Sequence, residues 1–498
     1  MAREKPPGPA QPPLTPEDRL LLCAARPRLS DEGQEHLRQL LAEPLDWLRL
    51  LDQAGRHGVA PLLYRHVRNA PGATVLPAAL ATLAEQSRIC LGRNLLLRHK
   101  LVHLLGAFNR AGIPVMPLKG PWLSDLLYDD PGLRTMGDLD LLVQPDDRAR
   151  GEALLLSEGI QLPASLQGAE YDTSFIIRNN VTVELHWDLT EDHFASLDLR
   201  ELWASAERRE WEGRTIWTMS QPDLLLYLCL HAVKDGLASL RTLLDITLVM
   251  ERFGGSLPWR EMAAQAGRLR IRTPVYVALC HARTLLGAPA PAEFLAAIRP
   301  PRGLAWRLSE ALLAWRGGVL HARPDLLVGP VMAFLLFLWE DSSPGKFRHL
   351  RRNLWTMCVR LLRQRPDSAN TAREPRQDAL QEETASPRQQ HAVTETTPAM
   401  NHALSLACRV RIPEGIASHD LQGETLVLNP TTGACVSLDP VGARMWFLLQ
   451  AHRSPQKALD ALVQEYEVSE AQGEHDLVAF VTRMRDQGFV ETGDDDPD

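Results

Sequence analysis

At 498 residues the chain exceeds what one compact core accommodates, and at roughly 150 residues per unit it divides into two to four domains. A hydrophobic share of 45% with 23% charged residues excludes a fibrous or wholly disordered chain. The net charge of -8 argues against a general nucleic-acid binder, which needs a basic surface to displace counterions from phosphate.

The first 16 residues are Pro-rich and polar and are expected to be disordered; no basic start precedes an apolar run, so no signal peptide is predicted. From Leu20 to Tyr64 the pattern is helical, with Trp47, Leu48, Leu50 and Leu51 on recurring faces. A second helix is predicted from about Leu80 through Leu105, closed by Gly112 and Pro114. Short apolar runs then replace the helical period: Val115 to Leu118, Leu139 to Val143, Ser174 to Ile177 and Val181 to Leu185. These predict strands of an α/β unit, with a helix from Asp146 to Glu158 between the second and third.

Helical patterns return from Gln221 to about Arg363. Within them Leu326 to Trp339 is the longest apolar stretch, but its 14 residues, interrupted by Gly329-Pro330, fall short of the ~20 that span a bilayer. It reads as a buried helix, and no membrane association is expected. The basic run Lys346, Arg348, Arg351, Arg352, Arg360, Arg363 and Arg365 reads as the charged face of a helix with a buried apolar stripe, in preference to a membrane or nucleic-acid surface. Residues 366–400 lack aromatics and hold few large apolar side chains, too little to offset the entropy of ordering, and are expected to be a disordered linker.

Beyond the linker, strands are predicted near Cys408 to Ile412, Glu424 to Leu428 and Ala434 to Leu438, and helices near 441–450, 455–466 and 473–487. The expected organisation is thus a helical front and α/β core over 17–220, a helical domain over 221–365, the linker, and a separate domain over 401–498. From residue 401 onward there are 16 Asp and Glu against 7 Lys and Arg, so this domain carries -9 and the remainder +1. A basic partner is one reading; a solvated acidic surface and tail is the simpler one. The seven cysteines are dispersed, with no CxxC pair and no His at zinc-finger spacing, which fits a reducing cytoplasm.

The chemistry concentrates in Pro117-Leu118-Lys119-Gly120, then Arg134, then Gly137-Asp138-Leu139-Asp140-Leu141-Leu142-Val143. Aspartates one residue apart on a strand point to the same face, so Asp138 and Asp140 reach one metal cluster. Mg²⁺ takes hard oxygen ligands, typically one or two carboxylates plus substrate phosphates, so this pair suits a nucleoside triphosphate with two bound Mg²⁺ ions. Glu184, in Val183-Glu184-Leu185-His186-Trp187, is expected to supply the third carboxylate, as ligand and possible base. Gly120 permits close backbone approach to phosphate, with a helix starting just after it, and Lys119 and Arg134 are expected to pair with the triphosphate. His186 shares the face of Glu184, leaving nucleotide contact and a structural hydrogen bond both open. His231, in the apolar Leu228-Cys229-Leu230-His231-Ala232, reads as a core histidine, and Arg241 with Asp245 reads as an i,i+4 surface pair.

Asp-x-Asp alone is a weak signal; its surroundings strengthen it. The segment resembles the uncharacterised nucleotidyltransferase family of the polymerase-beta-like superfamily, whose pattern is a Lys-Gly after the first strand, an Arg before Asp-x-Asp-Leu-Leu-Val, and a later Glu-x-His-Trp. The resemblance runs from about Trp47 to Arg363 and takes in His57, Gly58, Val59 and Pro61 in front and His231, Arg241 and Asp245 behind. It implies an α/β nucleotidyltransferase core, a mixed sheet with helices, embedded in helical segments. The superfamily's Gly-Ser or Gly-Gly about ten residues before the aspartates is replaced by Gly120-Pro121, 18 positions before Asp138, with Ser124 as a substitute contact.

At the C-terminus, Leu426-Val427-Leu428-Asn429-Pro430-Thr431-Thr432-Gly433, Val436-Ser437-Leu438-Asp439 and Gly442-Ala443-Arg444-Met445-Trp446 predict a hairpin followed by a helix. Over about Arg409 to Glu491 the order resembles the PqqD family, small α+β winged-helix-like modules called RiPP recognition elements, which bind the leader of a ribosomally made precursor peptide. The resemblance implies that a leader strand adds to the sheet edge, with Val436, Leu438 and the 473–487 helix as groove candidates. A winged helix for DNA or dimerisation is the alternative, and the -9 charge disfavours DNA. Together the parts imply a Mg²⁺-dependent nucleotidyltransferase that transfers a nucleoside monophosphate to a precursor peptide. The other readings are a catalytically inactive peptide-binding scaffold and a toxin-antitoxin-like enzyme acting on tRNA or protein.

Overall fold

The computed structural model describes residues 14–70, 75–162, 172–177, 181–189, 199–301, 320, 406, 408–413, 415–421, 424–466 and 468–493. The expected linker, the Leu326 to Trp339 helix, the basic run from Lys346 to Arg365 and residues 1–13 of the expected disordered start lie outside the described residues.

The first helix, α1 (Pro16–Ala24), begins inside the stretch expected to lack order. Thr15 closes a capping box: its Oγ1 accepts from the Asp18 N–H at 3.3 Å, and Asp18 Oδ2 accepts from the Thr15 N–H at 2.9 Å. α2 (Asp31–Leu41), α3 (Trp47–Arg56) and α4 (Ala60–Arg68) follow, the first two capped by Ser30 and Asp46. Their apolar stripes meet in a core that buries Leu20, Leu40, Leu50 and Leu63.

The second predicted helix, α5 (Pro77–Arg110), is longer at both ends than its pattern indicated; its 34 residues span about 51 Å at 1.5 Å each. Leu83 joins the front core, while Leu97, Leu101, Leu105 and Phe108 pack beneath a sheet. That sheet comprises β1 (Val115–Pro117), β2 (Asp138–Val143), β3 (Asp172–Ile177) and β4 (Val181–His186) in the order β1-β2-β4-β3. β2 and β4 run parallel while both outer pairs are antiparallel, so the sheet is mixed. Between β1 and β2 lies α6 (Gly120–Leu127), and after β2 a 3-10 turn leads into α7 (Arg148–Ser157).

After α8 (Leu199–Ser205) comes a hairpin that periodicity did not reveal, β5 (Glu207–Trp211) and β6 (Arg214–Thr218). Glu212 at φ 52 and Gly213 at φ 66 give the left-handed pair that a tight hairpin turn requires. α9 (Gln221–Lys234), α10 (Leu240–Phe253), α11 (Trp259–Arg268), α12 (Arg272–Leu286) and α13 (Ala292–Ala297) then pack on the front helices in one core. Among the described residues no helix is long and apolar enough to cross a membrane.

The C-terminal part is a small α+β module. β8 (Ala417–Leu421), β9 (Glu424–Leu428) and β10 (Cys435–Leu438) form an antiparallel sheet in the order β10-β9-β8, and β7 (Arg409–Arg411) pairs with β11 (Glu491–Gly493). The predicted turn is present, with Asn429 Oδ1 accepting from the Thr431 and Thr432 N–H groups and Gly433 at φ 77. α14 (Pro440–His452), α15 (Pro455–Glu465) and α16 (Glu470–Asp486) enclose the fully buried Trp446 with Leu449, Leu459, Leu477 and Phe489. The predicted helices match these three closely; β8 and β11 were not foreseen.

Candidate active site

The β2–β4 register places Asp140 opposite Glu184 and Leu141 opposite Leu185. Alternation therefore separates a polar face, with Asp138, Asp140, Glu184 and His186, from an apolar one on which Leu139, Leu141, Val183 and Leu185 are buried against α5. The polar face floors a cavity of about 280 Å³, walled on the far side by Tyr227, His231 and Lys234 of α9, by Asp235 and by Arg241 of α10.

Asp140, Glu184 and His186 each bring a ligand atom within 4.8 Å of the others. Asp138 lines the same cavity but lies outside this trio. His186 Nε2 stands 3.4 Å from Asp140 Oδ1 and 3.4 Å from Glu184 Oε2. Burial works against the imidazolium, but the two carboxylates overcome it and raise His186 to about 9. Burial likewise opposes ionisation of Asp140, yet Lys119 and His186 hold it well below the usual carboxylate range. Asp138 moves the other way, raised by burial and then by the Asp140 charge.

Lys119 stands between β1 and α6, with Nζ 3.3 Å from Asp140 Oδ2 and 3.1 Å from His231 Nε2. Burial and the Lys119 charge keep His231 well below its ordinary value, so its neutral Nε2 accepts from the ammonium. His231 is thus a cavity residue rather than the core histidine its apolar helix implied, and Asp235 Oδ2 is 3.1 Å from the same nitrogen. Gly120 opens α6 at φ +69, a conformation that L side chains rarely adopt, and lines the cavity.

Arg134 has a buried partner that the sequence did not indicate. Its guanidinium is 2% exposed and gives three hydrogen bonds of 2.9–3.1 Å to Asp245, whose Oδ1 also accepts from the Tyr128 hydroxyl at 2.9 Å. The side chain is engaged in this buried pair and fastens the loop leading into β2, while Arg134 also lines the cavity in which the triphosphate contact was expected. The loop is pinned elsewhere too: Asn94 of α5 donates to the Arg134 and Pro131 carbonyls, Thr135 Oγ1 donates to the Gly58 carbonyl at 3.1 Å, and Arg93 donates to the Gly137 carbonyl at 2.8 Å. The front and rear helices thereby clamp the approach to Asp138. Asp245 is accordingly buried and not in a surface pair with Arg241, and Arg241 lines the cavity instead. Ser124 is buried within α6 and is not part of the cavity wall.

Lys234, Asp235, Tyr227 and Asp172 also line the cavity and were not singled out from sequence. The donor set fits a divalent cation that takes the place of the His186 proton between the two carboxylates, since the imidazole must be neutral to act as a ligand. Two carboxylates and an imidazole converge, and among the described residues the buried Asp140 Oδ2 accepts no hydrogen bond, its counter-charge being Lys119. Oxygen-rich sites of this kind hold Mg²⁺ or Mn²⁺, and the nitrogen of His186 is well tolerated by Mn²⁺.

No curated protein matches the chain. Among solved structures, TbiB1 in complex with the TbiA(beta) leader peptide is similar at 30% identity, over 17% of this chain and 99% of that one, with a TM-score of 0.16. The antibiotic-resistance factor ANT(2'')-Ia is similar at 16% identity, over 38% of this chain and 97% of that one, with a TM-score of 0.27. Residues 43–287 match the family described as uncharacterised nucleotidyltransferase, and residues 424–490 match coenzyme PQQ synthesis protein D. The chain therefore joins a domain of the uncharacterised nucleotidyltransferase family to a C-terminal PqqD domain.

Proposed function

We propose that the protein transfers a nucleoside monophosphate from a nucleoside triphosphate to a ribosomally made precursor peptide, whose leader is held by the PqqD domain. The observation that carries the catalytic half is the convergence of Asp140, Glu184 and His186 within 4.8 Å on the polar face of β2 and β4. Asp138, Asp140, Glu184 and His186 would hold Mg²⁺, which supplies charge neutralisation for the phosphates and the leaving pyrophosphate. Lys119 and Arg241, with the first amides of α6 at Gly120, bind the triphosphate oxygens. An acceptor hydroxyl forms a bond to the α-phosphorus as the bond to the bridging α,β-oxygen breaks and pyrophosphate leaves. The hydroxyl proton passes to a carboxylate of this face, for which Glu184 is the candidate base.

The peptide half rests on the PqqD match and on an end strand, β10, to which an extended segment can add. Incubation of the full chain with Mg²⁺, each nucleoside triphosphate and a precursor peptide encoded beside it tests the reading by mass spectrometry. A gain of one nucleoside monophosphate on the peptide is expected. Leader binding without transfer would replace this reading by that of an inactive scaffold, and labelling of tRNA or another protein by a chain lacking residues 401–498 would assign a different acceptor.

A further inference from the structure

The central strand of the C-terminal sheet, β9, is apolar on both faces, and the module's own helices cover only one. Along β9 the run Leu426-Val427-Leu428 sends Val427 into the module's core with Trp446 and Leu438. Leu426 and Leu428, only 3% and 2% exposed, point the other way and belong to the core built around Leu91, Leu95 and Leu97 of α5. The antiparallel register puts Cys435 of β10 opposite Leu428 and His419 of β8 opposite Leu426, on this second face. Both reach the nucleotidyltransferase domain. A Cβ at Gly92 of α5 would lie 3.3 Å from Cys435 Sγ, and His419 Nε2 is 3.9 Å from Asp130 Oδ1. A strand with bulky apolar side chains on successive positions is one that is buried on both sides.

The contact lies close to the cavity. Asp130 opens the loop that Arg134 fastens, and Arg93, next to Gly92, donates to the carbonyl of Gly137, a cavity residue. β10 is one end strand of its sheet, β8 being the other.

We propose that the C-terminal module is docked, not merely tethered: the Leu426/Leu428 face seats on α5 and sets the outer edge of β10 beside the cavity entrance. The partner of this surface is the chain's own α5. That the edge delivers a peptide rests on the function proposed above; the docking itself does not. A tether of 35 residues behaving as a random coil, the length of 366–400, would allow a range of ~30–36 Å and millimolar effective concentrations. Docking replaces that range with one position, so a peptide strand on β10 would enter the cavity from a fixed point.

The test is a cross-link in the full chain. Gly92→Cys would place a Cβ 4.0 Å from the Cys435 Cβ, inside the ~3.5–4.5 Å range of disulfides. Under mild oxidation, mass mapping should find an intramolecular bond between position 92 and Cys435. It should form at least ~100-fold faster than the bond from Leu48→Cys, a position on α3 that is 82% exposed and so not covered by the module. Equal rates, or dimeric products only, would overturn the docking. Leu426→Glu provides a second reading, since it charges the docking face and spares Val427 and Trp446. Hydrogen exchange over residues 88–97 should rise at least ~tenfold in that variant, and unchanged protection would overturn the proposal. A cross-link without peptide labelling would retain the docking and reject the proposed acceptor; labelling without a cross-link would do the reverse.

Discussion

Asp245→Ala strands the guanidinium of Arg134 in a site where both side chains are 2% exposed. Removing one member of a buried ion pair costs about 3–5 kcal/mol, because the remaining charge is left desolvated. The Tyr128 hydroxyl loses its acceptor as well, adding ~1 kcal/mol or more. Against the ~5–15 kcal/mol that holds a domain together, this is a large fraction. Urea unfolding followed by tryptophan fluorescence should show the loss as a lower midpoint. Arg134→Met combined with Asp245→Leu removes both charges, and most of the lost stability should return. A loss below ~1 kcal/mol in Asp245→Ala, or a double variant no better than the single one, would refute the assignment of Arg134 as the anchor of the loop. If Arg134 instead contacts nucleotide, Arg134→Met would leave stability near wild type and weaken nucleotide binding more than Arg241→Met does.

Glu184→Gln and His186→Ala should each weaken Mn²⁺ binding, read by calorimetry, at least ~tenfold without unfolding the sheet; unchanged affinity would remove them from the ligand set. Gly120→Ala forces an L side chain into a left-handed backbone at a cost of ~1–2 kcal/mol, and should weaken nucleotide binding more than overall stability; the opposite ranking would place Gly120 away from phosphate. Burial lowers the pKa of His66 and His281. Below about pH 6.5 the unfolded chain takes up protons that these folded sites refuse, so stability should fall with pH by at most ~1.4 kcal/mol per unit per histidine. His281→Gln should flatten that slope, and an unchanged profile would contradict its burial as a neutral group.

What could be read from sequence follows from how local each cause is. The run Asp138 to Val143 and the segment Val181 to His186 declare their strands because alternation at period two divides carboxylates from leucines, and the observed register brings Asp140 to Glu184. Arg134 could not be read that way, since its partner lies 111 residues further on. The i,i+4 rule for Arg241 and Asp245 failed for the same reason: a buried cation claims Asp245 first. His231 sits in an apolar helix whose neighbours say core, but the turn at Asp235 and the reach of Lys119 turn that position into cavity wall. β5 escaped notice because four of its five residues are exposed and its pattern is Glu-Arg-Arg-Glu-Trp, with only Trp211 buried. β8 reads Ala-Ser-His-Asp-Leu, weak in β-formers, and is held by pairing with β9.

The central claim, a metal-dependent nucleotidyl transfer at Asp138, Asp140 and Glu184, is tested most directly by supplying the full chain, Mg²⁺ and precursor peptide with nucleoside triphosphate labelled at either the α- or the γ-phosphate. The account predicts that the α-label alone appears on the peptide, and that Asp140→Asn or chelation of Mg²⁺ abolishes it. Transfer of the γ-label, or undiminished α-labelling by Asp140→Asn, would contradict it.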